Sequence, residues 1–352
     1  MSASAREGLW PSFVLCVLVL GPAIAQAQWA SQTSNTSVAL RGVSAVSEKI
    51  AWASGAKGTF LRTTDGGATW VPGIVPGAAD ADFRGVRALS DKSAYLLSSG
   101  AGPLSRLYKT GDGGVKWDLL MVNPNPQGFW DAIAMWDPLH GILLGDPVAS
   151  VGSQGRFDIW TTSDGVTWVQ QKGPPALPRE GAFAASNTSL TVRGAHEAWF
   201  GTGGAPGTGG AGGGRVFHSD DGGKTWTVAK ALPRPHSESA GVFSLAFSDG
   251  RHGVAVGGDY TKPGEGAGSI AITEDGGKTW TEPNPPLPAY RSAVAYIDDK
   301  KMWIATGTSG SDVSLDGGRT WKPFGEAGFN AMSFAGSVGW AVGANGIIST
   351  FH

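Results

Sequence analysis

Cysteine is almost missing from this chain. The only one, Cys16, lies in the first 27 residues, so residues 28–352 can hold no disulfide, no thiolate metal site and no cysteine nucleophile. Charge is scarce as well, at 16% of residues, and nearly balanced, with 27 Lys and Arg against 29 Asp and Glu. That balance provides no basic field for wrapping nucleic acid. Long apolar runs are absent too: the stretch from Phe13 to Leu20 falls short of the ~20 residues a membrane span needs. Its position after Arg6 and before the small-residue site Ala25-Gln26-Ala27 reads as a secretory signal, residues 1–27, with cleavage near Gln28. The expectation is a secreted or periplasmic product with no transmembrane segment. Val14-Leu15 stand before Cys16, where a lipid-attachment signal would place small residues. Six scattered histidines make no zinc set, His196-Glu197 is not followed by a spaced second His, and no Gly-x-Ser-x-Gly elbow occurs. The glycines from Gly201 to Gly207 lack the Gly-Lys-Ser/Thr of a phosphate loop and read as a loop insertion. No cofactor and no metal are expected.

What the chain has instead is glycine, proline and tryptophan: 55, 21 and 15 residues. Turn-formers at that density exclude a coiled coil or helical bundle and suit a loop-rich all-β protein. The segment Thr63-Thr64-Asp65-Gly66-Gly67-Ala68-Thr69-Trp70 recurs five more times, ending at Trp117, Trp168, Trp226, Trp280 and Trp321. The copy at Asp164-Gly165 is one residue short. Spacings of 47, 51, 58, 54 and 41 residues each fit four short strands and their turns. In the first unit the alternation predicts strands over 42–46, 50–53 and 59–63, with Trp70 opening a fourth. Equivalent units restart near Phe83, Trp130, Ala182, Val242, Ala293 and Phe329, which makes seven starts. The seventh ends at His352 after three strands, over 330–334, 338–342 and 346–350, and Trp29 stands where the other units carry the repeat tryptophan. The expected architecture is therefore one domain, residues 28–352: a seven-bladed β-propeller of four-stranded antiparallel blades, closed by the N-terminal strand completing the last blade.

These Ser/Thr-x-Asp-Gly-Gly-x-Thr-Trp turns resemble the Asp-box, or BNR repeat. Such repeats occur in sialidases, xyloglucan-cleaving glycoside hydrolases, sortilin-type receptors and photosystem II assembly factors of the Ycf48 type, so the resemblance implies the fold and leaves the function open. The segment from Gly339 to Ile348, Gly-Trp-Ala-Val-Gly-Ala-Asn-Gly-Ile-Ile, looks most like the Ycf48 blade. The Arg-Ile-Pro motif of sialidases is absent, so their arginine triad and tyrosine nucleophile have no counterparts here. The aspartates of the turns read as scaffold, accepting backbone amides while glycine takes positive φ. None has the ligand spacing of a calcium loop.

A propeller places the starts of its innermost strands around the mouth of the central channel. By that rule the mouth carries Arg41, Arg84, Asp131, Glu180, Glu238, Arg291 and Asn330, to within about one position. Loops over 146–156, 201–214, 257–268 and 307–312 aim at the same face and bring Asp146, Asp259, Tyr260 and Asp312, while blade connections bring Trp130, His236 and Tyr290. Rings beside carboxylates and arginines suit a carbohydrate or other small anionic ligand. In a glycan-cleaving enzyme, Asp131 and Glu180 would be the acid/base pair and the arginines would hold a substrate carboxylate or sulfate. In a lyase, Tyr260, Tyr290 or His236 would abstract the proton. The alternative is a non-catalytic Ycf48-like scaffold presenting this face to a protein partner.

Overall fold

The computed structural model describes residues 29–149, 154–204, 213–232 and 237–352. The expected signal segment, Cys16 and His236 lie outside them. The described residues form seven antiparallel sheets in sequence order around a ring, and no α-helix occurs among them. Blade 1 comprises Leu40–Ala45, Ala51–Gly55, Thr59–Thr63 and Val71–Ile74, close to the strands read from the alternation. In most blades the second strand is buried throughout, as in Ala51–Gly55, Ala94–Ser98 and Met302–Gly307, because neighbouring blades cover both its faces. Hence these strands are near-continuous apolar runs. The outermost strands, such as Val71–Ile74 and Thr227–Lys230, are mostly exposed.

Trp29–Gln32 pairs antiparallel with Ile348–Phe351, so the N-terminal strand completes blade 7 as its outer strand. Trp29 packs against Phe329, Phe334 and Phe351 at 5.2, 6.1 and 5.6 Å between ring centroids. Gln32 carries the closure into blade 1, accepting the Trp70 indole N–H at 2.9 Å and donating to the Gly66 carbonyl at 3.2 Å. Blade 5 departs from the four-strand plan. Its fourth strand shrinks to one bridge between Ile272 and Thr281, because Pro283, Pro285 and Pro286 supply no N–H to extend the ladder.

The Asp-box turns all use one set of bonds. In the first, Thr63 Oγ1 donates to Asp65 Oδ1 at 2.8 Å and accepts the Gly67 N–H at 2.9 Å, while Asp65 Oδ1 accepts the Thr69 N–H at 2.9 Å. Gly66 and Gly67 sit at φ of 78° and 85°, where a Cβ would clash with its own backbone. These hydrogen bonds hold the exposed Asp65 carboxyl below the usual range, led by the Thr69 amide. They are turn chemistry on the face opposite the channel mouth.

Blade 4 starts at Leu190 rather than near Ala182, and the reason shapes the whole molecule. Residues 182–189 leave the sheet and cross the propeller axis. Arg84 of blade 2 donates to the Ala184 carbonyl at 3.4 Å, Ser186 Oγ donates to the Ser292 carbonyl before blade 6 at 2.8 Å, and Thr188 Oγ1 meets Ser244 Oγ of blade 5 at 2.7 Å. Asn187 accepts the Ile133 N–H at 2.9 Å and donates to the carbonyls of Ile133 and Val86 at 3.0 and 3.4 Å. A segment from blade 4 that touches blades on both sides, two removed, occupies the central channel. A Cβ at Gly85 would lie 2.8 Å from Asn187 Oδ1, so this axial plug also depends on a missing side chain in blade 2. Around it, inner strands are laced by hydroxyls: Ser44, Ser244 and Ser333 each accept an N–H from the next blade, at Ala88, Val294 and Ala45, at 3.0, 2.9 and 3.0 Å.

Candidate functional site

Four inner strands carry the same irregularity near their starts. The pairing register skips one residue between Leu40 and Gly42, Phe83 and Gly85, Trp130 and Ala132, and Val242 and Ser244. The skipped residues are Arg41, Arg84, Asp131 and Phe243. A bulge frees one residue from the ladder and re-aims its side chain, and here all four line one cavity of 540 Å³ above the plug. Each is followed by Gly, Ala or Ser, which leaves room for the bend. Tyr260, Tyr290, Asp146, Phe183 and Asn330 complete the principal walls.

The apolar side of the cavity is a ring cluster. Phe183 stacks on Phe243 at 3.9 Å with planes 17° apart, and Tyr290 and Tyr260 meet Phe243 edge-on at 5.0 and 6.1 Å. Tyr260 is 54% exposed and marks the rim. Tyr290 is buried, which pushes its hydroxyl pKa up. On the polar side, Arg84 pairs with Asp82 at 2.8 Å. Arg41 Nε is buried without a partner among the described residues, and burial followed by the Arg84 charge lowers its pKa. Asp131 is 1% exposed and its Oδ2 likewise has no partner among the described residues. Burial first, and the Asp146 charge second, push its carboxyl well above the usual range, against the pull of Arg84. Asp146 accepts the Ala182 N–H at 2.8 Å, yet burial outweighs that bond and pushes it up to about 6. The cavity is thus lined by two residues of opposite character, Arg41 and Asp131, each with one buried polar atom lacking a partner among the described residues, beside an aromatic wall.

Of the residues expected at the mouth, Arg41, Arg84, Asp131, Tyr260, Tyr290 and Asn330 line this cavity, and so does the loop residue Asp146. The others are placed elsewhere. Glu180 accepts Leu177 N–H, Thr202 Oγ1–H and Arg215 Nε–H at 2.8, 2.6 and 2.7 Å and pairs further with Arg215 Nη2. Its side chain is 1% exposed; it is not among the residues lining this cavity but lines a neighbouring one that shares Asp146, Ala182 and Phe183. Arg291 is fully occupied by Asp312, with Nε to Oδ2 at 2.7 Å, and by the Tyr290 carbonyl and Ser309. Both members of that pair are buried away from the mouth. Trp130 is core, its indole N–H donating to Asp158 Oδ2 at 3.0 Å. Asp259 is held by Thr261 and Ser237, and Glu238 lies 3.6 Å from Arg179 beside a neighbouring shallow depression.

Sequence reasoning missed Phe183 and Phe243. The inner strand of blade 5 runs from Ala240 to Phe247, so its bulge falls five residues after Glu238. The step Phe243-Ser244 repeats the bulge-then-small pattern of Arg41-Gly42, Arg84-Gly85 and Asp131-Ala132, and that step was the available signal. In blade 4 the start of the inner strand is given over to the plug, so no periodic argument reaches Phe183.

The BNR/Asp-box repeat family matches residues 217–228. The photosystem II assembly lipoprotein Ycf48 of Synechococcus sp. (strain CC9902) is 24% identical over 234 residues, which is 66% of this chain and 58% of that protein. The match thus spans less than two thirds of the curated relative. Ycf48 from Cyanidioschyzon merolae superposes with a TM-score of 0.64 at 19% identity, over 93% of this chain and 99% of that one. Ycf48 bound to a D1 peptide gives 0.62 at 18% identity, over 94% and 98%. A xyloglucanase from Xanthomonas campestris gives 0.58 at 16% identity, over 91% of this chain and 53% of that enzyme. The chain is a seven-bladed Asp-box β-propeller similar to Ycf48.

Proposed function

We propose that this chain is a non-catalytic assembly or scaffold propeller of the Ycf48 kind, which holds a segment of a partner polypeptide in the cavity at the channel mouth. The observation that carries this reading is the fate of Glu180: the carboxylate expected to complete an acid/base pair is locked to Arg215 and Thr202, whereas Arg41 and Asp131, which line the cavity, each keep a polar atom without a partner among the described residues. A polypeptide suits that combination. Arg41 and Arg84 receive an acidic side chain or a carbonyl, Asp131 in its neutral form donates to a carbonyl, and the Phe183, Phe243 and Tyr260 rings take an apolar side chain. The likeness of the fold to a Ycf48 bound to a D1 peptide supports a polypeptide as the kind of ligand. The signal-like N-terminus supports action outside the cytoplasm.

A second reading, cleavage of a glycan, draws on one observation: Asp131 and Asp146 share the cavity and are both pushed upward, to different extents, as in sites where two carboxyls divide acid and base roles. One experiment separates the readings. Peptides selected from a displayed random library on the purified protein are measured by fluorescence polarisation, beside product formation on neutral, uronic and sialylated glycans. The scaffold reading expects selected peptides whose affinity falls at least tenfold in the variant carrying Arg41→Gln and Arg84→Gln, with no glycan cleaved. Cleavage that disappears in Asp131→Asn overturns it.

A further inference from the structure

Below the plug the channel opens again into a second cavity, of 150 Å³, whose lining includes Ser44, Arg87, Asn187, Thr191 and Ser333 and no carboxylate. Its other walls include Val43, Val86, Ile133, Leu190 and Met332 together with Ser186 and Thr188. Arg87, like Arg41, makes no ion pair among the described residues and has an unpartnered Nε. Arg215 and Arg291 each meet a carboxylate, but Arg87 donates only to the Met135 carbonyl, at 3.3 Å, and its Nε is buried without a partner among the described residues. Burial alone lowers its pKa, and no neighbouring charge contributes.

A guanidinium stays charged at any physiological pH, so holding the half-buried Arg87 without a counter-charge is costly, and an anion in the cavity beside its guanidinium would offset that cost. The surroundings are prepared for it. Ser44 of blade 1 and Ser333 of blade 7 each accept a backbone N–H from the next blade, and each keeps a hydroxyl proton to donate. With Arg87 of blade 2, the donors come from three adjacent blades and converge on one small space.

We propose that this cavity is a binding site for one small oxyanion, phosphate or sulfate, held by Arg87 with the hydroxyls of Ser44 and Ser333. The volume of 150 Å³ admits a single tetrahedral anion. Asn187 and Ser186 separate it from the mouth, so the site is independent of the polypeptide reading above. Bound there, the anion would tie blades 7, 1 and 2 together beside the seam where the ring closes.

Equilibrium dialysis of the full chain against radiolabelled inorganic phosphate, and separately sulfate, tests this at constant ionic strength. Expected is one anion per chain in the parent, at least tenfold weaker binding in Arg87→Met, and unchanged binding in the variant carrying Arg41→Gln and Arg84→Gln. Should Arg87→Met not fold, thermal unfolding of the parent decides: its midpoint rises saturably with phosphate if the site is real. No uptake by the parent, no shift of its midpoint, or uptake that disappears with the mouth arginines instead of Arg87, overturns the proposal.

Discussion

The two cavities of the channel lie on either side of the same plug, yet they differ in kind. Above the plug, bulges free Arg41, Arg84, Asp131 and Phe243, giving 540 Å³ of space with both signs of charge and an aromatic wall. Below it, where register is regular, the space is 150 Å³ and the only charged side chain lining it is Arg87. The lesson is that a repeat fixes where side chains point, and local departures from the repeat decide which of them line the larger cavity. An irregular strand start makes a large mixed site, and a regular strand middle makes a small one.

Three perturbations break or sharpen this contrast. The largest effect should come from Glu180→Ala, which strands Arg215 in the wall beside the mouth. Breaking a buried pair costs about 3–5 kcal/mol, so chemical denaturation should show a loss of that order, while binding at both cavities stays within twofold in the protein that remains folded. A large loss of peptide affinity at full stability would return Glu180 to the mouth. Next is Asn187→Ala, which removes three hydrogen bonds in the plug. Leaving these buried groups unpaired should cost about 2–3 kcal/mol and open the two cavities to each other, visible as faster exchange of bound phosphate. The smallest effect is electrostatic. Asp146 is pushed up to about 6 in the folded protein, against an ordinary carboxyl near ~3.9 when unfolded. The folded state binds the proton more tightly, so stability is fully present below about pH 4 and falls as pH rises through 6. The loss is about 2 kcal/mol once solvent in the cavity is allowed for. Asp146→Asn should flatten that part of the pH profile, and an unchanged profile would show that Asp146 is not buried as described.

Much of this molecule could be read from its sequence because the repeat is redundant. Six Asp-box copies, the truncated last unit and Trp29 specify blade number and closure, and the sheets follow that plan. Arg41, Arg84, Asp131 and Asn330 were legible as mouth residues because blades 1, 2, 3 and 7 keep the repeat's spacing up to the inner strand. Blades 4, 5 and 6 did not yield to the same counting. In blade 4 the inner strand begins late, at Leu190, since residues 182–189 form the plug. In blade 5 the long connection before Ala240 hides the bulge. In blade 6 the neighbouring Ser292 lines the cavity, and Arg291 turns into the blade to meet Asp312. Which charges neutralise one another is a property of three-dimensional proximity, so Glu180 with Arg215 and Arg291 with Asp312 were invisible to spacing. Arg87 was equally invisible, since only the fold shows a half-buried arginine with no acid beside it.

The proposal that the mouth is where a polypeptide docks is tested most directly by photo-crosslinking in cells that express the protein. A benzophenone amino acid is placed at Tyr260, on the cavity rim, and in a second protein at Val115, which is 83% exposed on the Asp-box face. The account predicts discrete polypeptide adducts from position 260, their loss when Arg41→Gln and Arg84→Gln are added, and none from position 115. No adduct at position 260, or equal adducts at both positions, would contradict it.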